Sequence, residues 1–292
     1  MGINLLKSLL YGILEGVTEW LPVSSTGHLI LLEGLLALNV GIDVHPQFAA
    51  EFSEFFLVAI QLGAILAVVT TYAKRLFPMG DSRENRKKAI SLWSRALVGC
   101  IPAGLAGVVL DKILEIVTGK DVDGLLYTPV VVALMLILYG VLFIVVEKAR
   151  KGKVPRVTEP EQMSYATALG VGAFQMLSLI PGTSRSGSTI LGGMLLGLSR
   201  KASAEFSFFM AVPVMLGASG LKALGFGKFL LQNDLRMPYQ AALTLLVAGV
   251  VAYVTSRLTI RFLMDFSARH GFAPFGVYRI LLGAAVLLMS LF

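Results

Sequence analysis

Charged residues and cysteines are both scarce in this 292-residue chain, and each shortage excludes a class of protein. Only 15% of the residues are charged, against about 25% in an ordinary soluble domain, so that class is excluded. Cys100 is the single cysteine, which rules out a disulfide framework and a cysteine-based zinc site. The chain is instead 56% hydrophobic with a mean hydropathy of +0.78, a composition typical of membrane proteins.

The net charge of +7 lies mostly in short loops between apolar runs. Such placement indicates a cytoplasmic membrane face, so we expect lipid contacts and no nucleic-acid partner. The positive-inside rule predicts that the basic loops are cytoplasmic, namely 74–95, 148–163 and 257–271. Loops 39–51 and 111–127 carry an acidic excess and are predicted to face outside.

Apolar segments of about 20 residues predict membrane-spanning helices. Six qualify: roughly 52–73, 92–110, 128–147, 202–223, 238–256 and 274–292. Two further apolar regions, 3–38 and 164–198, are each interrupted by a polar run, at 21–28 and 181–188. Because proline and glycine break helices there, both regions are interpreted as re-entrant helix–loop–helix hairpins. The expected fold is an all-α polytopic integral membrane protein with six spans and two hairpins.

The order of these segments predicts an inverted-topology repeat within a single membrane domain, 1–292. Residues 1–150 and residues 151–292 would each hold one hairpin and three spans, in opposite orientations, with both chain ends outside. The first loop (LPVSSTG) also resembles the second (IPGTSRSG) in its sequence. In inverted repeats the site lies near the bilayer midplane, where the broken elements meet.

Two acidic residues, Glu15 and Glu19, lie four positions apart in the first hairpin and so share a helix face. Two carboxylates at so short a distance repel each other unless a cation, a proton or a basic side chain lies between them. A divalent cation, Mg²⁺ or Ca²⁺, would satisfy both, and its usual partner would be a phosphate. The alternative is a buried ion pair with Arg185 or Arg279.

The first loop also carries candidate nucleophiles. Ser24 and Ser25 are hydroxyl nucleophiles, and His28 suits a general base, a general acid or a nucleophile. His45 and His270 fall in predicted interfacial loops and are given no role. The sequence does not decide among Ser25, His28 and a metal-bound water as the attacking group.

The second loop contributes Arg185, whose planar guanidinium matches phosphate oxygens. Backbone N–H groups at the start of the following helix would add donors for an anion. The expected phosphate-binding residues are Ser24, Thr26, Gly27, Ser184, Ser186 and Gly187. Together the two loops predict metal-assisted phosphate chemistry.

These motifs resemble a known family. Residues 15–28 (EGVTEWLPVSSTGH) and 181–187 (PGTSRSG) resemble the signatures of bacterial undecaprenyl pyrophosphate phosphatases, the bacitracin-resistance family. The resemblance extends over nearly the whole chain, including IQLG at 60–63 and SAEFS at 203–207, although the family pattern has an acidic residue where this chain has Leu57. It implies removal of the terminal phosphate of undecaprenyl diphosphate, giving the lipid carrier for peptidoglycan. It also implies a divalent cation, the inner membrane and an outward-facing site.

The same resemblance suggests individual roles. It makes Glu15 and Glu19 the acidic, metal-binding pair, places Ser25 and His28 in catalysis, and puts Arg185 on the diphosphate. The expected reaction is a direct displacement in which Ser25 or a metal-bound water attacks the distal phosphorus. His28 would then handle the proton.

A lipid or ion transporter is the main rival interpretation, since inverted repeats with broken helices are common in transporters. The clustering of serine, histidine, glutamate and arginine favours an enzyme, because transport does not need it. A phosphatidic-acid-phosphatase relative would need a second loop histidine and a Lys/Arg-Pro motif, which the sequence lacks. The sequence is compatible with a homo-oligomer and does not fix the oligomeric state.

Overall fold

The computed structural model describes residues 2–38, 40–41, 44–78, 82–119 and 122–290. Among the charged residues predicted to face outside, Asp43, Lys120 and Asp121 lie outside these ranges. The described residues form helices and no β-strand, apart from one isolated bridge between Val157 and Leu198. The helices are α1 (Gly2–Thr18), α2 (Ser25–Leu36), α3 (Phe48–Ala59), α4 (Gln61–Thr71), α5 (Ala73–Leu76), α6 (Arg83–Thr118), α7 (Val122–Leu126), α8 (Pro129–Arg150), α9 (Tyr165–Met176), α10 (Arg185–Leu195), α11 (Arg200–Gln232), α12 (Tyr239–His270) and α13 (Ala273–Met289).

Five helical segments are long and apolar enough to cross a membrane: α3 with α4, α6, α8, α11 and α12. They match five of the six predicted spans, so the all-α, multi-pass membrane fold is confirmed. The sixth predicted span corresponds to α13, an apolar helix of 17 residues. The longer helices extend beyond their apolar centres: α6 covers 36 residues, well beyond the predicted 92–110.

Both predicted hairpins are present as pairs of short helices. In the first, α1 and α2 are joined by the turn at 19–24, and α2 has only 12 residues. In the second, α9 leads through a 3₁₀ turn at Leu177–Leu179 to α10, which has 11 residues. Helices α2 and α10 fall well below the roughly 20 residues that cross a bilayer, so each hairpin turns back inside the protein.

Each hairpin packs against a span from the other half of the chain. Helix α1 lies along α12, α9 lies along α6, and α8 pairs with α13. Small residues allow this close approach: a Cβ on Gly16 would lie 2.7 Å from the Ala252 carbonyl oxygen. A Cβ on Gly172 would lie 3.0 Å from the carbonyl carbon of Gly99. Membrane helices associate through such contacts because lipid provides no hydrophobic force between them.

An ion-pair cluster around Arg75 joins the two long basic loops at one end of the bundle. Its guanidinium bonds Glu159 at 2.9 Å, Glu161 at 2.6 Å and Glu205 at 2.6 Å. Burial alone would raise the pKa of Glu161, but the hydrogen bonds from Arg75 outweigh it and hold that pKa below its usual value. Loops 74–95 and 148–163 therefore lie on one side of the membrane, as their charges predict.

Candidate active site

Ser24 and Ser184 give the two polar loops the same local geometry. Each serine has a positive φ, 75° and 72° respectively, a region that non-glycine residues rarely occupy. Each also caps the next helix: Ser24 Oγ accepts from the Gly27 N–H, and Ser184 Oγ accepts from the Gly187 N–H. The residue after each cap, Ser25 or Arg185, therefore begins its helix and points into the space between the loops.

Arg279 of α13 holds the two loops together. Its side chain is fully buried, and its guanidinium donates to backbone carbonyls of both hairpins. Nη1 lies 3.1 Å from Pro22 O, and Nη2 lies 2.9 Å from both Gly182 O and Thr183 O. The sequence also allowed a buried ion pair between Arg279 and the two acidic residues. In the structure the guanidinium donates to these carbonyls instead.

The carboxylate of Glu19 is the point where the hairpins meet. One oxygen accepts a hydrogen bond from Arg185 Nη2 at 2.9 Å, and the other accepts from Ser25 Oγ at 3.0 Å. Ser186 Oγ also donates to the Glu19 backbone carbonyl at 3.1 Å. The ion pair offered as an alternative role for Arg185 is thus present, and it lies beside the predicted nucleophile.

A cavity of about 500 Å³ lies between the hairpins. Its volume falls within the range of small-molecule sites, about 300–1,000 Å³. Six predicted site residues line it: Glu19, Ser25, Thr26, Ser184, Arg185 and Ser186. The other lining residues include Gln61 and Cys100, which lie well inside their spanning segments, so the cavity is deep within the bundle.

The guanidinium of Arg185 is fixed from two sides. Nη1 donates to the Ser207 carbonyl at 2.9 Å, and the group lies 5.8 Å from the centre of the Trp20 ring. Trp20 is itself fully buried and packs edge-to-face on Phe208. Within the described residues Nε has no hydrogen-bond partner, which leaves a donor for a ligand. A phosphate in the cavity would therefore meet an oriented cation.

His28 lies apart from this cavity. Its Nδ1 donates to the Ser24 carbonyl at 2.7 Å, since a carbonyl can only accept. Its Nε2 lies 2.6 Å from the Tyr278 hydroxyl, and the two rings are stacked 5.6 Å apart. Both ring nitrogens are thus engaged away from Ser25 and Glu19. A catalytic role for His28 stays a prediction.

Three residues predicted to bind phosphate shape the loops instead of lining the cavity. Ser24 is buried and bonds the Gly27 N–H at 3.4 Å, and the Gly187 N–H bonds Ser184 at 3.1 Å. These N–H groups are used in caps, so they position Ser25 and Arg185. Direct contact of Ser24, Gly27 or Gly187 with phosphate stays a prediction.

Glu15 fits a cation. Its side chain is fully buried, and in the described part of the chain neither carboxylate oxygen has a hydrogen-bond partner. A buried carboxylate without a partner is costly, and Mg²⁺ or Ca²⁺ would satisfy it. Over the same residues no cluster of three or more acidic, histidine or cysteine ligands occurs. Two carboxylates suit Mg²⁺, which uses one or two together with substrate phosphates, better than a calcium cage of six to eight oxygens.

Gln61, Gln175 and Ser178 also line the cavity, although the sequence assigned them no role in chemistry. Gln175 is only 2% exposed, and its Oε1 is unpartnered within the described residues. Glutamines in membrane helices commonly bond a neighbouring helix, so residue type alone did not mark Gln175 as a site residue. Its place on α9, shortly before the second loop, is the signal that could have found it.

The comparisons with known proteins agree over nearly the whole chain. Residues 8–285 match the family described as bacitracin resistance protein BacA. An undecaprenyl-diphosphatase of Enterococcus faecalis is 46% identical, with 99% of this chain and 98% of that protein covered. Undecaprenyl-diphosphatases of Desulfitobacterium hafniense and Acetivibrio thermocellus are 46% and 45% identical to this chain. The two alignments cover 98% and 99% of this chain and 96% and 98% of those proteins. The chain therefore belongs to the BacA family.

Proposed function

We propose that the protein is an undecaprenyl-diphosphatase, which removes the terminal phosphate of undecaprenyl diphosphate. The product, undecaprenyl phosphate, returns to use as the carrier lipid of peptidoglycan synthesis, and the activity confers bacitracin resistance. The observation that carries the proposal is the meeting of Ser25, Glu19 and Arg185 in one cavity. Together they are a hydroxyl nucleophile, a base and a phosphate-binding cation, the parts that phosphate transfer requires.

In the proposed reaction, Ser25 Oγ attacks the distal phosphorus while Glu19 accepts its proton. The bond to the bridging oxygen breaks, undecaprenyl phosphate leaves, and the phosphate stays on Ser25 until water releases it. Arg185 offsets the negative charge of the transferring group. The 3.0 Å contact between Ser25 and Glu19 supports this order, whereas His28 has no corresponding contact.

We further propose that Glu15 and Glu19 hold a divalent cation together with the substrate diphosphate. When bound, such a cation neutralises diphosphate charge. The unpartnered carboxylate of Glu15 supports this assignment. Glu19 then contributes in two ways, because it also contacts Ser25 and Arg185.

The proposed location is the bacterial inner membrane, with the site facing outward. The basic loops around Arg75 would lie in the cytoplasm, which puts the α11–α12 connection on the external face. In a Cys100→Ser background, Asp234→Cys should react with an impermeant maleimide added to intact cells. Labelling only after permeabilisation would contradict this orientation.

Phosphate release from undecaprenyl diphosphate by the purified protein tests the reaction. Ser25→Ala and Arg185→Ala should each lower release to a small residual rate, and a chelator should reduce release by the wild-type protein. Matched controls are Ser94→Ala and Arg257→Ala, whose side chains bond tyrosines away from the cavity. No release by folded wild-type protein under any cation would refute the enzyme assignment and favour a transporter.

A further inference from the structure

The cavity has an apolar end as well as a polar one. Beyond Ser25 and Arg185 its wall is formed by α6, through Cys100, Ala103 and Gly104, and by α11, through residues 213–215, 217 and 218. These residues are small or apolar, and the cleft between the two helices is continuous with the space that holds the phosphate-binding groups. A ligand in this cavity can therefore have a polar part at one end and an apolar part at the other.

This cleft is open toward the lipid side of the bundle. Gly104 and Gly217 are exposed, and a Cβ built on either would have no atom within 4 Å. Gly16 and Gly172 differ, because their helices are in direct contact. Past Pro102 of α6 and Pro213 of α11 the following turns are largely exposed, and proline commonly bends a helix.

A second observation indicates that the cavity receives a ligand. The Oε1 atom of Gln175 is buried and unpartnered within the described residues, although the side chain lines this cavity. Burying an acceptor without a donor costs free energy, so a bound ligand, or a water that accompanies it, would supply the missing donor. Gln175 reaches the cavity from α9, which packs against α6.

We propose that the cleft between α6 and α11 at Gly104 and Gly217 holds the first part of the substrate's polyprenyl tail. This assignment rests on the proposed function, and its occupant is the isoprenoid chain attached to the diphosphate. Lipid is as apolar as the cleft, so the cleft supplies orientation and little affinity. It directs the tail into the bilayer while the diphosphate stays against Arg185.

A second apolar groove is the rival route for the tail. It has a volume of about 410 Å³ and lies between α1 and α2, lined by Ile13, His28 and leucines. Glu19, Ser25 and Arg185 do not line this groove. The groove shares no lining residue with the cavity, so continuity favours the α6–α11 cleft.

Cysteine protection distinguishes the two routes without requiring turnover. In the wild-type background, Gly104→Cys, Gly217→Cys and Ile13→Cys are labelled with a lipid-soluble maleimide, and peptide mass spectrometry separates each label from that on Cys100. Leu258→Cys on the exposed face of α12 is the control. At about ten times its Kd, undecaprenyl phosphate should slow labelling about tenfold at 104 and 217 but not at 13 or 258. Inorganic pyrophosphate, which has no tail, should not protect these two positions.

Protection at position 13 instead, or at no position while hydrolysis persists, overturns the proposed tail route. Equal protection by pyrophosphate also overturns it, since the effect would not need a tail. No hydrolysis by the wild-type parent would instead contradict the proposed function, so the two failures are distinguishable.

Filling the cleft gives an independent test. Gly217→Leu places a side chain in open space and removes a helix glycine, so the fold should not be weakened. We expect kcat/KM for undecaprenyl diphosphate to fall about tenfold, since misplaced substrate reacts slowly. Gly225→Leu, on the same helix with equally open surroundings but outside the cavity, is the matched control and should keep wild-type kinetics. Equal kinetics for both variants would contradict the proposal.

Discussion

Glu19→Gln should slow phosphate release strongly while leaving the fold in place. Glutamine keeps the shape of the buried side chain, and its amide oxygen can still accept from Arg185. It cannot take the proton of Ser25, however, because an amide is not a base. General-base catalysis contributes about 10²–10⁴-fold, so we expect kcat to fall by about that factor. At 1.36 kcal/mol per tenfold change, the loss is about 3–5 kcal/mol.

Combining Glu19→Gln with Ser25→Ala shows whether the two residues act as a unit. If their effects were independent, Glu19→Gln would slow the Ser25→Ala protein by a further factor of about 10²–10⁴. If Glu19 acts through the Ser25 hydroxyl, the double variant should be about as slow as Ser25→Ala alone, because a base without its nucleophile has no effect. The expected coupling energy is then about 3–5 kcal/mol.

Single-turnover phosphate release by purified protein gives the four rates, and thermal unfolding checks that each variant is folded. A second cycle, Glu19→Gln with Arg185→Ala, is the control, since Glu19 contacts that residue as well. Multiplicative losses in the Ser25 cycle, with coupling only in the Arg185 cycle, would refute the reasoning. Glu19 would then serve to hold the guanidinium.

Three further results are expected. Arg279→Met should lower the free energy of unfolding by about 3–5 kcal/mol, because the bonds to three carbonyls are lost; an unchanged melting temperature in detergent would contradict this. Tyr278→Phe removes the partner of His28 Nε2, so the pH dependence of kcat should shift if that imidazole carries a proton in the reaction; an identical pH profile argues against a catalytic histidine. The hydrogen bonds from Arg75 lower the pKa of Glu161 in the folded state. The stabilisation they give is therefore present at neutral pH and is lost as the pH falls through that lowered pKa. Melting temperatures measured from neutral to acidic pH should fall less steeply in Glu161→Gln than in the wild-type protein.

The hairpins could be predicted from sequence because their physical cause is local. A polar run containing proline and glycine breaks regions 3–38 and 164–198, and region 3–38 is too long for one span and too short for two. The meeting of Glu19 with Arg185 could also be anticipated, since a charge buried in a membrane requires a partner. These features depend on residue type and spacing alone.

Contacts between distant segments could not be predicted in this way. Arg279 binds backbone carbonyls, which every residue has, so no side-chain pattern identifies its partners at Pro22 and Gly182. His28 lies 250 positions from Tyr278 in the sequence, and only the packing of α13 beside α2 brings the rings together. The open surroundings of Gly217 likewise depend on how distant helices pack around α11.

The two loops share one backbone geometry and differ in the residue that follows the capping serine. Ser24 and Ser184 have nearly equal φ angles and the same capping bond, yet one precedes Ser25 and the other Arg185. An inverted repeat would produce this match, and the exchange of α1–α12 and α9–α6 contacts is consistent with it. Each hairpin then needs a span from the other half to bury its packing face, which argues for one membrane domain. In the proposed reaction one loop would supply the nucleophile, Ser25, and the other would supply the phosphate-binding cation, Arg185.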